Sequence, residues 1–165
     1  KVGKNKKTLE RQKFAVLLTS INGTYATDLA LESSGGSGTG AYSYVVTTPG
    51  TAGCSITNGA LRATSPGSCT VTSTRETSVN YFAKASLATT VTIGKATQAA
   101  VLLTSTSGTF NTAISLTASG GTSSGTYVFS VTNSGTAGCS VVTATSLTST
   151  GAGSCTVTAT RNGDN

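Results

Sequence analysis

An all-β fold, built as two antiparallel β-sandwiches in tandem, is predicted by three observations. The chain repeats itself at a nearly constant offset, its apolar residues alternate in short runs, and turn-forming pairs separate those runs. The repeat carries the most weight. AVLLTSINGTY, from Ala15, returns as AVLLTSTSGTF from Ala100; SSGGSGTGAYSYVVT, from Ser33, returns as ASGGTSSGTYVFSVT from Ala118; GTAGCS stands at both Gly50 and Gly135. The offset is 85 residues from Val16 to Val101 and from Cys54 to Cys139, and 86 from Cys69 to Cys155. One inserted residue in the loop around 143–153 accounts for the change, and loops absorb insertions readily.

The chain accordingly divides into a basic N-terminal arm at residues 1–13, a first unit at 14–94 and a second at 95–165. Within each unit the strands follow from alternation. Leu29 and Leu31 match Ile114 and Leu116 as the inward set of an early strand. Tyr42, Tyr44 and Val46 keep the phase of Tyr127, Phe129 and Val131, which marks that face as core. Cys69 and Val71 match Cys155 and Val157, leaving Thr70, Thr72 and Thr74 facing outward. Asn22-Gly23, Gly35-Gly36, Pro49-Gly50, Asn58-Gly59 and Pro66-Gly67 supply reversals between the runs. About seven strands per unit are expected. The second unit stops before any counterpart of residues 81–93, so it is expected to lack its last strand. An open sandwich exposes sheet edges and a groove, which proteins normally cover. Either the polypeptide continues, or another subunit donates a strand. The arm is a poor donor, because residues 1–13 do not alternate.

Net charge is +6, but Lys1, Lys4, Lys6, Lys7, Arg11 and Lys13 against Glu10 place +5 of it within the first 13 residues. An anionic surface would therefore be met by the arm, and a nucleic-acid-binding body is disfavoured. No apolar run approaches the roughly 18 residues of a membrane span, and the start lacks the apolar core of a signal segment. The chain contains no Met, so a processed protein, an internal fragment or part of a longer polypeptide is expected.

Four cysteines allow three connectivities. Their matched positions favour Cys54 with Cys69 and Cys139 with Cys155, one bridge per unit. Each would close a short loop and stabilise its unit by about 3 kcal/mol in a chain-entropy treatment. Such bridges persist in oxidising compartments. Zinc is the rival use of cysteine, but the chain has no His and no CxxC pair.

Chemistry finds little material. Without His, and with Glu10, Asp28, Glu32, Glu76 and Asp164 as the only carboxylates, a Ser-His-Asp site is impossible and an acid pair has scant support. No calcium loop is present, and the Gly-rich stretches at 35–40 and 120–125 lack a phosphate-binding Lys, so no cofactor or metal is expected. Asn22-Gly23-Thr24 is a sequon, but its counterpart keeps the Gly and loses the Asn, which favours a turn. Tyr25 corresponds to Phe110, which favours a packed edge position over a sugar contact. Outward threonines suit exposed strands and carry no ice-binding requirement.

The pattern VLLTS-x-x-GT(Y/F), then SGG, an aromatic strand, GTAGCS and GSCTVT(S/A)TR resembles the bacterial immunoglobulin-like repeats of long surface-exposed and adhesin-like proteins. It covers nearly all of the chain after residue 13. The resemblance implies two tandem Ig-like sandwiches without catalytic machinery, in a spacer, stalk, adhesion or filament role. The expected function is a non-catalytic structural module of an extracellular surface protein or filament, with identical or neighbouring Ig-like subunits as partners. The alternatives are an adhesin or carbohydrate-binding module, or an Ig-like decoration on a phage particle. The basic arm and the truncated second unit depart from the plain repeat.

Overall fold

The computed structural model describes residues 9–164. They form strands and loops with no helix, and the chain divides into two compact units, one running to Ala96 and the other from Thr97.

In the first unit the strands are β1 (Val16–Leu18), β2 (Asn22–Thr24), β3 (Leu29–Ala30), β4 (Ser33–Gly35), β5 (Tyr42–Thr48), β6 (Ser55–Thr57), β7 (Ala60–Arg62), β8 (Gly67–Arg75), β9 (Lys84–Ala85) and β10 (Thr89–Gly94). They fall into seven runs, because β1 with β2, β3 with β4 and β9 with β10 are each one run with a short break. The first two breaks have a common cause. β1 pairs antiparallel with β4, while β2 lies in a larger sheet of order β2-β10-β8-β5, and β3 joins a third sheet of order β3-β7-β6. Each run thus crosses from one sheet to another. The third break is a register shift along β8: Thr74 faces Ala85, but Val71 faces Thr89. The extra residue is taken up around Ser86, whose amide donates to Ser73 O at 2.7 Å and whose Oγ accepts from Ser73 N at 3.1 Å.

Alternation along β8 buries Cys69, Val71 and Ser73, and alternation along β10 buries Val91 and Ile93. With Leu18, Leu31 and Leu61 these make the first core, against which Leu29, Tyr44 and Val46 pack. Fully burying one such aliphatic side chain is worth about 1.5–3 kcal/mol.

The second unit contains β11 (Val101–Leu103), β12 (Ile114–Ser115), β13 (Ala118–Gly120), β14 (Tyr127–Asn133), β15 (Ser140–Thr143), β16 (Ser146–Thr148) and β17 (Thr156–Arg161). Its pairings restate those of the first. β11 meets β13 with Val101 opposite Gly120, as Val16 stands opposite Gly35; β14 meets β17 with Val131 opposite Val157, as Val46 stands opposite Val71. Its core is Leu116, Phe129, Ala137, Cys139 and Leu147.

Two glycines fix the ends of β4 and β13. Gly35 and Gly120 have φ of 84° and 85°, and a Cβ would stand 1.9 Å from Ala15 O and 2.2 Å from Ala100 O respectively. No side chain fits there.

Candidate functional site

Of the basic residues at the N-terminus, Lys1, Lys4, Lys6 and Lys7 lie outside the described residues. Arg11 and Lys13 are exposed, on a segment tied into the first unit. Glu10 N donates to Asn80 O at 2.6 Å, and Phe82 N donates to Glu10 O at 2.9 Å. Arg11 borders a notch with Phe82 and Lys84, and Lys84 Nζ donates to Gln12 O at 3.1 Å.

Both disulfides are present. Cys54 is bonded to Cys69 and Cys139 to Cys155, each with a Cα separation of 6.1 Å, and no cysteine is free. The first bridge ties the segment before β6 to β8, and the second ties the segment before β15 to the residue that precedes β17, each closing a loop of about 15 residues. The bridges point to an oxidising environment of the extracellular kind. No helix is long and apolar enough to cross a membrane.

A polar corner, built twice, escapes the sequence reading. In the first unit Tyr42 Oη donates to Gly35 O at 2.7 Å, and the Arg75 guanidinium lies over the Tyr42 ring, 4.5 Å from its centroid. Arg75 Nε and Nη2 donate to Gly38 O at 3.0 and 2.5 Å. Buried Gln12 closes the corner: its Nε2 donates to Phe82 O at 2.9 Å, and its Oε1 accepts from Ser37 N at 3.0 Å. In the second unit Tyr127 Oη donates to Gly120 O at 2.7 Å, Arg161 lies 4.9 Å from the Tyr127 centroid and donates to Gly125 O at 3.1 Å, and Gln98 Nε2 donates to Arg161 O at 3.0 Å. A signal for it exists: Arg75 and Arg161 are the one charged pair that recurs between the units. Gln12 and Gln98 are harder to find, because they stand four and three residues before the matched Val16 and Val101.

Tyr25 and Phe110 correct an expectation. Both rings are exposed, at 39% and 44%, where the repeat suggested packed edges. Each sits on a tight turn closed by Thr27 N on Thr24 O and by Thr112 N on Thr109 O, at 3.1 Å in both, followed by a positive-φ residue, Ala26 or Asn111. The turn carries the ring off the sheet. Asp28 is engaged at the surface: Arg62 Nη2 donates to its Oδ2 at 2.7 Å. The hydrogen bond first, and the charge second, hold the Arg62 guanidinium above its ordinary pKa.

The two units differ most along one edge. In the first, β10 lies between two strands, antiparallel to β8 with Val91 opposite Cys69 and parallel to β2 with Ile93 opposite Gly23. In the second, β17 pairs with β14, and residues 107–109, the counterparts of β2, are not a strand among the described residues. A groove of about 490 Å³ runs between them, floored by Leu103, Ile114, Leu116, Leu147 and Val157 and lined by no charged side chain. Exposure follows the same line: Val16, Leu18, Cys69 and Val71 are buried, whereas Val101, Leu103, Cys155 and Val157 are half-buried.

Comparison with protein-family models, curated proteins and solved structures returns no match.

Proposed function

We propose that the chain is a non-catalytic structural module of an extracellular surface protein or filament, made of Ig-like sandwich units in tandem. The observation that carries this reading is the duplicated corner. From Thr97 on the sequence has one cation, Arg161, and it is committed to Tyr127, Gly120 and Gly125, as Arg75 is to Tyr42 and Gly38 in the first unit. The polar chemistry that recurs between units is spent on holding loops in place, and each unit adds a disulfide. Identical or neighbouring units are the natural partners of such a block, and the oxidising environment implied by the bridges suits a surface or secreted location.

The test joins two measurements on the oxidised chain. A broad glycan array is expected to show no saturable binding, and a protease challenge is expected to leave a core containing both disulfides. Saturable recognition of a defined glycan would sink this reading in favour of an adhesin or carbohydrate-binding module.

A further inference from the structure

Three asparagines precede a glycine, at Asn22-Gly23, Asn58-Gly59 and Asn162-Gly163. In such a pair no Cβ shields the glycine amide nitrogen, which can reach the carbon of the asparagine side-chain amide. Whether it does so depends on how freely the peptide between the two residues turns. The first two pairs allow a clean comparison, because both asparagines are exposed.

Asn22 and Gly23 lie in β2, in parallel register with Thr92 and Ile93 of β10. The pairing is held on either side of Gly23, by Thr92 N donating to Ile21 O and by Tyr25 N donating to Gly94 O, both at 2.9 Å. A Cβ at Gly23 would stand 3.0 Å from Ile93 and 3.3 Å from Leu29, so this backbone is enclosed as well as bonded. Rotating it toward the Asn22 side chain breaks the sheet edge. Asn58 and Gly59 are under no such restraint. The β6–β7 register ends with Thr57 opposite Ala60, which leaves the pair as a two-residue loop outside the ladder. Their φ values are 52° and 80°, and nothing stands within 4 Å of where a Gly59 Cβ would be. The third pair is tied to Thr126: Asn162 N donates to its O at 3.0 Å, and Asn162 Nδ2 to its Oγ1 at 3.3 Å.

We propose that Asn58 is a site of spontaneous covalent modification in the folded chain, losing its side-chain amide through a cyclic imide formed with Gly59. The Gly59 nitrogen gives up its proton to solvent and attacks Asn58 Cγ. The new N–Cγ bond forms, the Cγ–Nδ2 bond breaks, and the nitrogen leaves as ammonia with a proton drawn from solvent. The five-membered succinimide then takes up one water. Opening at the former side-chain carbonyl gives aspartate, and opening at the former main-chain carbonyl gives isoaspartate. Water is the only co-reactant, and each event turns a neutral amide into a carboxylate. The isoaspartate product also adds a methylene to the main chain of a hairpin whose Leu61 is 1% exposed in the core. The Cys54–Cys69 bridge encloses that hairpin and keeps the altered loop attached to β8. In the second unit the same hairpin turns on Ala144-Thr145, between Thr143 and Ser146, and has no such site.

The test ages the oxidised full chain at mildly alkaline pH beside the reduced chain unfolded in urea. Peptide maps are read by mass spectrometry that separates aspartate from isoaspartate. In the folded chain Asn58 is expected to convert at least about tenfold faster than Asn22, with both products at position 58; after unfolding the two rates should agree within about twofold. Equal rates in the folded chain, or an intact Asn58 over a time in which the unfolded chain converts, would overturn the proposal. Rates that stay unequal after unfolding would assign the difference to neighbouring sequence and overturn it too. Aspartate without isoaspartate at position 58 would overturn the succinimide route. None of these results concerns glycan recognition, so the proposal and the structural reading fail separately.

Discussion

Arg75 lies over Tyr42, 4.5 Å from the ring centroid, while the phenol of that tyrosine donates to Gly35 O at 2.7 Å. One stacked pair thereby pins a positive-φ glycine turn to the end of β8. Removing the guanidinium loses two charge-assisted donors to Gly38 O and the ring contact, so Arg75→Ala is expected to destabilise the first unit by about 2 kcal/mol. Arg75→Lys should recover less than half, because an ammonium neither stacks nor forks. Urea melts followed by tyrosine fluorescence decide the matter; a melt of Arg75→Ala that overlays the parent would remove the corner from any account of stability.

Ser73 is fully buried, and its hydroxyl has no hydrogen-bond partner. Its counterpart in the second unit is Ala159, and the other partnerless buried hydroxyl, on Ser33, is replaced there by Ala118. Deleting an unsatisfied hydroxyl relieves its desolvation cost, so Ser73→Ala should raise stability by about 1 kcal/mol, and Ser33→Ala should act in the same direction. Thermal melts of the two variants check this, with a lowered midpoint as the contrary result.

The bridges Cys54–Cys69 and Cys139–Cys155 span 15 and 16 residues, so removing either by paired Cys→Ser substitution should cost its unit about 3 kcal/mol. The losses are equal in size but unequal in effect. The second unit has the less covered core, and reduction should unfold it first. Proteolysis in dithiothreitol, with fragments read by mass spectrometry, is expected to cut within residues 97–165 before the first unit is touched.

The edge that β10 covers leads to a separate expectation for the chain alone. Amides of Cys69 and Val71 lie in the β8–β10 ladder, whereas Cys155 and Val157 have no strand on that side among the described residues. Native-state hydrogen exchange should be at least about tenfold faster at Cys155 and Val157 than at their counterparts. Equal protection would mean that the groove is already occupied.

Much of this was legible in the sequence, for a reason that particular residues make plain. Alternation reports burial only where a strand has one wet face, as in Cys69, Val71 and Ser73 or in Val91 and Ile93, and there the inward sets emerge directly. Matched cysteines fixed the bridges because a repeat constrains pairing more tightly than spacing alone. What stayed hidden was set by long-range partners. The stretch Asn22-Gly23 reads as a reversal, yet it is strand β2, held by parallel pairing to β10 some seventy residues on. Its twin at residues 107–109 has the same Gly and no such partner, and it is not a strand. Gln12 and Gln98 stayed hidden for a related reason: an offset measured on the strands does not carry through the loop that leads into them.

The disulfide between Cys54 and Cys69 also decides how the first unit would behave under tension. A chain pulled from its two ends transmits force through the shortest covalent path, which here runs through the sulfurs and bypasses the hairpin of β6 and β7. That path spans 6.1 Å between the two Cα atoms, whereas the 15-residue loop it bypasses would extend to roughly 50 Å. The oxidised unit therefore releases roughly 45 Å less chain when it gives way than the reduced one does. The load falls on the ladders that β8 makes with β5 and β10, where shearing several antiparallel hydrogen bonds together sets the rupture force.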